Sequence, residues 1–247
     1  IVSGCTLGPD FQKPDYQTPD NYRFDSVKTD SIVNLYWWKL FDDPILDTLI
    51  AIALRENKDV LIAAARIEAA RVNVGYTSAD QYPKLGFSAG ATTGNYMGGK
   101  QSSITNNFFA YPELSWEIGF WGKYRRLTEA AQADLLSSQY GLRTIQMSLI
   151  SAVASSYFEL LGNREKLLIA KNTLESRDSG LLILEARYKW GVIAEIDLNQ
   201  SQVQRAISAA AVPQFKRDVA ITESSLSILL GRYPNAINTD KNLNEMG

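Results

Sequence analysis

The chain has 247 residues, 45% of them apolar, with 25 basic and 27 acidic side chains, a single cysteine and no histidine. That length and apolar content suit an ordered protein of one large or two small domains, and the near-neutral charge argues against a nucleic-acid binder, which needs a basic surface to meet phosphates. Lack of histidine removes Ser-His-Asp triads and the commonest metal ligand, one thiol excludes a thiolate zinc cluster, neither common Gly-rich phosphate motif occurs, and no apolar run reaches the roughly 20 residues of a spanning helix. Any membrane crossing would therefore fall to strands of a closed barrel.

In chain order, Ile1-Val2-Ser3-Gly4-Cys5 has the form of a bacterial lipoprotein processing site, with cleavage before Cys5 and lipid on its thiol and new amino group; an incidental cysteine in a loose N-terminus is the alternative. Residues 6–35, rich in Pro, Asp, Thr and Asn without periodicity, read as an extended arm. Trp37, Trp38 and Phe41 supply an aromatic packing anchor. Asp43-Pro44 is a helix start, with Asp as N-cap and Pro in the first turn. Ile45, Leu46, Leu49, Ile50, Ala53 and Leu54 then keep helical spacing over 44–56, and Asn57 ends it. A second helix with a face of small side chains is expected over 58–80, stopped at Tyr82-Pro83.

The period then changes to two. Leu85, Phe87, Ala89 and Ala91 alternate with Gly86, Ser88, Gly90 and Thr92. After a Gly/Ser/Asn-rich loop at 97–107, alternation returns with opposite parity: Phe108, Ala110, Leu114, Trp116, Ile118 and Phe120 on one face, Phe109, Tyr111, Glu113, Ser115 and Glu117 on the other. One apolar face with aromatics near its ends and one polar face suit a hairpin of an outer-membrane barrel; by itself this hairpin suits a sandwich with one solvated face equally well. From Gly122 the pattern is helical. Residues 123–189 contain no proline, and Val153, Leu160, Leu167, Leu174, Leu181 and Tyr188 recur every seven residues, the step of side-by-side helix packing. Such a helix is about 100 Å long at 1.5 Å per residue. Gly191 suits a left-handed cap, a further helix follows over 196–230 with Pro213 expected to bend it, and Gly231 ends it. The helices at 58–80 and 196–230 have the combined length to cover the long one.

Four strings in this order resemble the TolC-type outer-membrane efflux factor family, in its lipoprotein branch serving RND-type pumps. They are Cys5-Thr6-Leu7-Gly8-Pro9-Asp10-Phe11 with Pro14; Trp37-Trp38-Lys39-Leu40-Phe41-Asp42-Asp43-Pro44-Ile45-Leu46; Ser115-Trp116-Glu117-Ile118-Gly119-Phe120-Trp121-Gly122-Lys123 with Arg125-Arg126; and Arg187-Tyr188 through Gly191-Val192 to Asp197. The resemblance implies a mainly α chain with a β-hairpin: a long antiparallel helical hairpin, a segment of an α-barrel, plus two strands of a transmembrane β-barrel. It divides the chain into a lipidated arm (1–43), two upper helices (44–81), the membrane hairpin (82–122), the long helical hairpin (123–231) and a linker (232–247). Family members carry two such repeats and assemble as homotrimers; only one repeat is present in this sequence, which reads as a truncated chain or a half-length protein assembling six to the ring.

The implied function is passive: an outer-membrane exit duct of a tripartite efflux system, with a periplasmic adapter, an inner-membrane RND-type pump and outer-membrane lipid as partners, no cofactor and no catalysis. The implied site residues are the lipid anchor Cys5 and an adapter-facing tip of Arg187, Gly191, Val192, Ala194 and Asp197. Family members often have serine where Ala194 stands, and Arg187 and Asp197 could instead pair or cap helix ends. From the strand parity, Glu113 and Glu117 are the lumen-facing carboxylates, where they would favour cations; plain solvated carboxylates are the alternative. Three rivals are set beside it: a periplasmic coiled-coil hairpin without a pore, against which the aromatic bands on 108–120 speak; an enzyme, for which no carboxylate or serine spacing is suggestive; and a simple diffusion porin, which needs no long helices.

Overall fold

The computed structural model describes residues 12, 14–15, 36–94 and 105–237. Cys5, nearly all of the N-terminal arm, the loop at 95–104 and the tail from 238 lie outside the described residues. A short 3-10 turn, Trp37–Phe41, leads to helices α1 (Pro44–Glu56) and α2 (Lys58–Ala79), strands β1 (Lys84–Gly94) and β2 (Thr105–Ser115), and helices α3 (Lys123–Lys189) and α4 (Glu195–Leu229). The expected elements are all present, with α3 covering the predicted 123–189. The residues fall into two compact units, one around Ala65–Tyr140 and one joining 36–64 to 141–237, with α2 and α3 contributing to both.

The first unit holds the hairpin. β1 and β2 pair antiparallel from Lys84↔Ser115 to Gly94↔Thr105. The ladder reaches three residues into the stretch expected as loop, because Asn106 and Asn107 pair with Thr93 and Thr92 through backbone groups that do not depend on side-chain polarity. Asn106 Oδ1 also accepts from Thr93 Oγ1 at 2.9 Å. At its other end β2 stops at Ser115, so the alternation of Trp116, Ile118 and Phe120 is not strand. The physical reason is the partner: Pro83, next before β1, has no N–H to extend the ladder. Trp116 Nε1 instead donates to the Gln81 carbonyl at 3.3 Å. Gln81 Nε2 donates to Thr128 Oγ1 on α3 at 2.8 Å, and Ile67 of α2 and Ala131 of α3 are buried.

The second unit holds the hydrophobic core. Trp38, Leu46, Leu49, Ile50, Ala53 and Val60 pack with Leu149, Ile150, Val153, Tyr157, Leu160 and Leu161 of α3 and Leu226 and Leu230 at the end of α4. Asp43 caps α1 as expected, accepting from Ile45 N at 2.9 Å, and its other carboxylate oxygen accepts from the Tyr157 hydroxyl at 2.6 Å. Asn57 does more than end α1. Its Oδ1 accepts from Asp59 N at 2.9 Å and Val60 N at 3.3 Å, opening α2, while Nδ2 donates to the Leu229 carbonyl at 2.9 Å. Further along, Asn163 Nδ2 donates to Thr222 Oγ1 at 3.0 Å, and Arg164 pairs with Glu223 at 2.7 Å and donates to the Ile237 carbonyl.

The seven-residue series of α3 grades from core to surface. Val153 and Leu160 are fully buried, Leu167, Leu174 and Leu181 half-buried and Tyr188 exposed. Where α1, α3 and α4 converge the series is enclosed; farther on, α4 is left to cover it, with Arg205 Nε on Asp178 Oδ1 at 2.6 Å as a cross-link. α4 continues through Pro213, whose missing N–H leaves the Ala209 carbonyl without its helical donor.

Glu56, at the end of α1, is held by Arg232 at 2.9 Å and Arg55 at 2.6 Å. The Arg232 hydrogen bonds, then that from Arg55, lower its carboxyl from 4.5 to about 2. A depressed carboxylate contributes stability that is present above its unfolded value and lost as pH falls through its folded one. Glu56→Gln is therefore expected to flatten the acid limb of unfolding between pH 4.5 and about 2, read by circular dichroism during acid titration. An unchanged limb would contradict the pairing.

Candidate functional site

The tip is built by backbone chemistry. α3 ends at Lys189, and Gly191 takes a left-handed φ of 65°. Gly191 N donates to the Tyr188 carbonyl at 2.8 Å and Val192 N to the Arg187 carbonyl at 2.9 Å, the paired bonds that close a helix end through glycine. The chain turns through residue 193, and Ala194 becomes the N-cap of α4 in extended conformation, with no side chain to accept from the exposed amides. Glu195 and Asp197 sit in that first turn, where acidic groups complement the helix dipole. Arg187 and Asp197 make no ion pair with each other among the described residues, so neither serves as the other's partner. The turn gathers Arg187, Gly191, Val192, Ala194 and Asp197 at one exposed end, together with Trp190 (81% exposed) and Ile196 (71%), which sequence reasoning left out of the set. Their signal is legible in the sequence: large apolar side chains flanking a glycine turn, which no described residue covers. Ala194→Ser is expected to stabilise α4 by about 1 kcal/mol through the missing cap, raising the thermal midpoint; no change would mean that the turn does not present a usable cap geometry.

The hairpin sorts its side chains by face. In an antiparallel ladder directly opposed residues point the same way. The register therefore places Leu85, Phe87, Ala89 and Ala91 with Leu114, Pro112, Ala110 and Phe108, and Gly86, Ser88, Gly90 and Thr92 with Glu113, Tyr111, Phe109 and Asn107. This is the division that the two opposite parities predict. The apolar face is open: Leu85, Phe87, Phe108 and Leu114 are all more than two-thirds exposed.

Glu113 lies on the polar face opposite Gly86. Glu117 does not join it there as a strand residue: it falls beyond the end of β2, in the junction, where Lys123 Nζ donates to its Oε1 at 2.8 Å. That bond, then one from Tyr124, lowers its carboxyl below the usual range. Lys84 is held on Asp80 at 2.7 Å. Asp80, Tyr82, Lys84, Ser115, Glu117 and Tyr124 line a cavity of about 450 Å³ between the foot of the hairpin and the start of α3. Both ion pairs of the junction are local in sequence, Asp80 with Lys84 four residues on and Glu117 with Lys123 six residues on, one at each end of the hairpin. Cys5 lies outside the described residues, and no helix among them is long and apolar enough to cross a membrane.

A family profile described as outer membrane efflux protein matches residues 49–232, most of the chain. The probable outer membrane lipoprotein SilC of Salmonella typhimurium is 30% identical over 250 residues, covering 98% of this chain and 53% of that protein. The cation efflux system protein CusC of Escherichia coli O6:H1 is 28% identical, covering 94% of this chain and 51% of its own length. Among solved structures, the outer-membrane channel OprN superposes with a TM-score of 0.80 at 29% identity, over 97% of this chain and 55% of that one. The chain thus spans about half the length of the relatives it matches.

Proposed function

Since the chain belongs to the outer membrane efflux protein family, we propose that it is one repeat of a passive exit duct of a tripartite efflux system, conducting small molecules from a periplasmic adapter and an inner-membrane RND-type pump to the exterior. The observation that carries this reading is the hairpin. One of its faces is wholly apolar and exposed, and the other carries Glu113 and Tyr111 with Phe109 and small residues, on a chain otherwise made of long helices. A two-stranded sheet is not independently stable in water, and an exposed apolar face of this kind suits lipid. Its free edges require further strands, which in the proposed homotrimer come from the other repeats and chains.

In this reading no residue does chemistry and no cofactor is needed. Energy comes from the pump; the duct supplies a continuous wet path whose carboxylates bias it toward cations. Glu113 takes that part, and Glu117, tied to Lys123, is partly neutralised. Arg187, Gly191, Val192, Ala194 and Asp197 form the adapter-facing tip, with Trp190 and Ile196 supplying apolar area for a helical partner. Cys5 carries the lipid, which adds about 0.8 kcal/mol of anchoring per buried methylene.

The test is the oligomeric state and shape of the detergent-purified protein from its own gene, by light scattering and electron microscopy. A trimer with a tube projecting roughly 100 Å below a membrane-embedded ring supports the duct. A compact monomer that needs no detergent would refute it and favour the poreless coiled-coil reading.

A further inference from the structure

The polar face of the hairpin carries more than hydration groups. On β2 its successive members are Phe109, Tyr111 and Glu113, opposed on β1 by Gly90, Ser88 and Gly86. A row of large side chains thus lies against a row of small ones. The Phe109 and Tyr111 rings are stacked, with centroids 5.9 Å apart and planes 29° apart. Phe109 lies over Gly90: a Cβ there would overlap its Cζ and come within 2.8 Å of its Cε1. The glycine lets the ring lie across β1 as a platform instead of standing off the sheet. Both rings stay accessible, at 41% and 50% exposure.

Glu113 follows at the next position on the same face, about 7 Å along the strand. It makes no ion pair among the described residues, and the cation diagonal to it, Lys84, is held by Asp80. The row therefore presents two aligned ring faces ending in an unneutralised carboxylate. Ring faces attract cations through their quadrupole and stack on planar ring systems, and the carboxylate adds direct charge attraction. Neither a small inorganic cation nor a neutral aromatic would use both parts.

We propose that Phe109, Tyr111 and Glu113 form a low-affinity resting site on the duct wall for planar aromatic cations. The inference rests on the reading of this face as the lumen wall. The experiment is ion current through the protein from its own gene in planar lipid bilayers, with ethidium as probe and naphthalenesulfonate and tetramethylammonium as comparisons. Ethidium is expected to interrupt the current, with dwell times about tenfold shorter in Tyr111→Ser and in Glu113→Gln and little changed in Tyr111→Phe. Naphthalenesulfonate and tetramethylammonium are expected to give no comparable interruptions. Conductance of each variant reports that it has folded and assembled; Glu113→Gln, at an exposed position, preserves shape. If the pore conducts but ethidium dwells equally long in wild type and both variants, or the anion blocks as well as ethidium, the resting site is refuted and the duct stands. If the wild-type protein forms no conducting pore, the duct reading fails and the site with it.

Discussion

Gly231→Ala is expected to lower the stability of the helical unit by about 3–5 kcal/mol, among the largest effects of any single substitution outside its aliphatic core. Two independent penalties act there. Gly231 has φ 73°, where a side chain is strained, and an added Cβ would overlap the Glu56 carbonyl oxygen and lie 2.7 Å from that carbonyl's carbon. The clash is with backbone, which cannot rotate aside, at the point where α1 meets α2 and the end of α4. Gly191 separates the two penalties. Its φ is 65° but nothing lies within 4 Å of its Cβ position, so Gly191→Ala carries strain alone, about 1–2 kcal/mol. Thermal unfolding followed by helical ellipticity compares the two variants. Equal losses would mean that the close approach at Glu56 contributes nothing.

Asp43→Ala should cost about 2–4 kcal/mol, since it removes an N-cap and orphans a buried hydroxyl at once. Asp43 and Tyr157 are both almost wholly buried, joined at 2.6 Å across 114 positions of sequence. Tyr157→Phe leaves the cap in place and is expected to cost about 1.5–3 kcal/mol, as for a hydrogen bond to a charged group. The double variant should fall well short of the sum, because the two single changes break one shared bond; additive losses would show that the pair is not coupled. Burial, then the bond to Asp43, pushes the Tyr157 hydroxyl above the usual tyrosine range. A raised folded value means that its contribution is complete below the unfolded value of about 10 and is lost as pH rises beyond it. Alkaline destabilisation above about pH 10 should accordingly be shallower in Tyr157→Phe.

Much of this architecture is written in short stretches of chain. Asp43-Pro44 announces α1, and Gly191 and Gly231 announce the ends of α3 and α4, because capping depends on residues within about four positions. The two strand parities, odd on β1 and even on β2, predict the apolar face that the register then assembles. The same reasoning overshoots at Trp116–Phe120. Side-chain alternation continues there, but a strand also needs a pairing partner, and the partner strand has run out at Pro83. Glu117 consequently leaves the polar row of the hairpin for Lys123.

By itself, then, the sequence determined the element order, the helix ends, the two faces of the hairpin and the family, since each is encoded in periodicity, local capping or ordered motifs. Only the tertiary structure decided that Asn57 ties α1, α2 and α4 together, that Tyr157 finds Asp43, that Arg232 finds Glu56, and that Phe109 lies over Gly90. These are bonds and contacts between residues distant in the chain or facing across strands. Their partners are fixed by how burial brings elements together, and no spacing rule along a single chain carries that information.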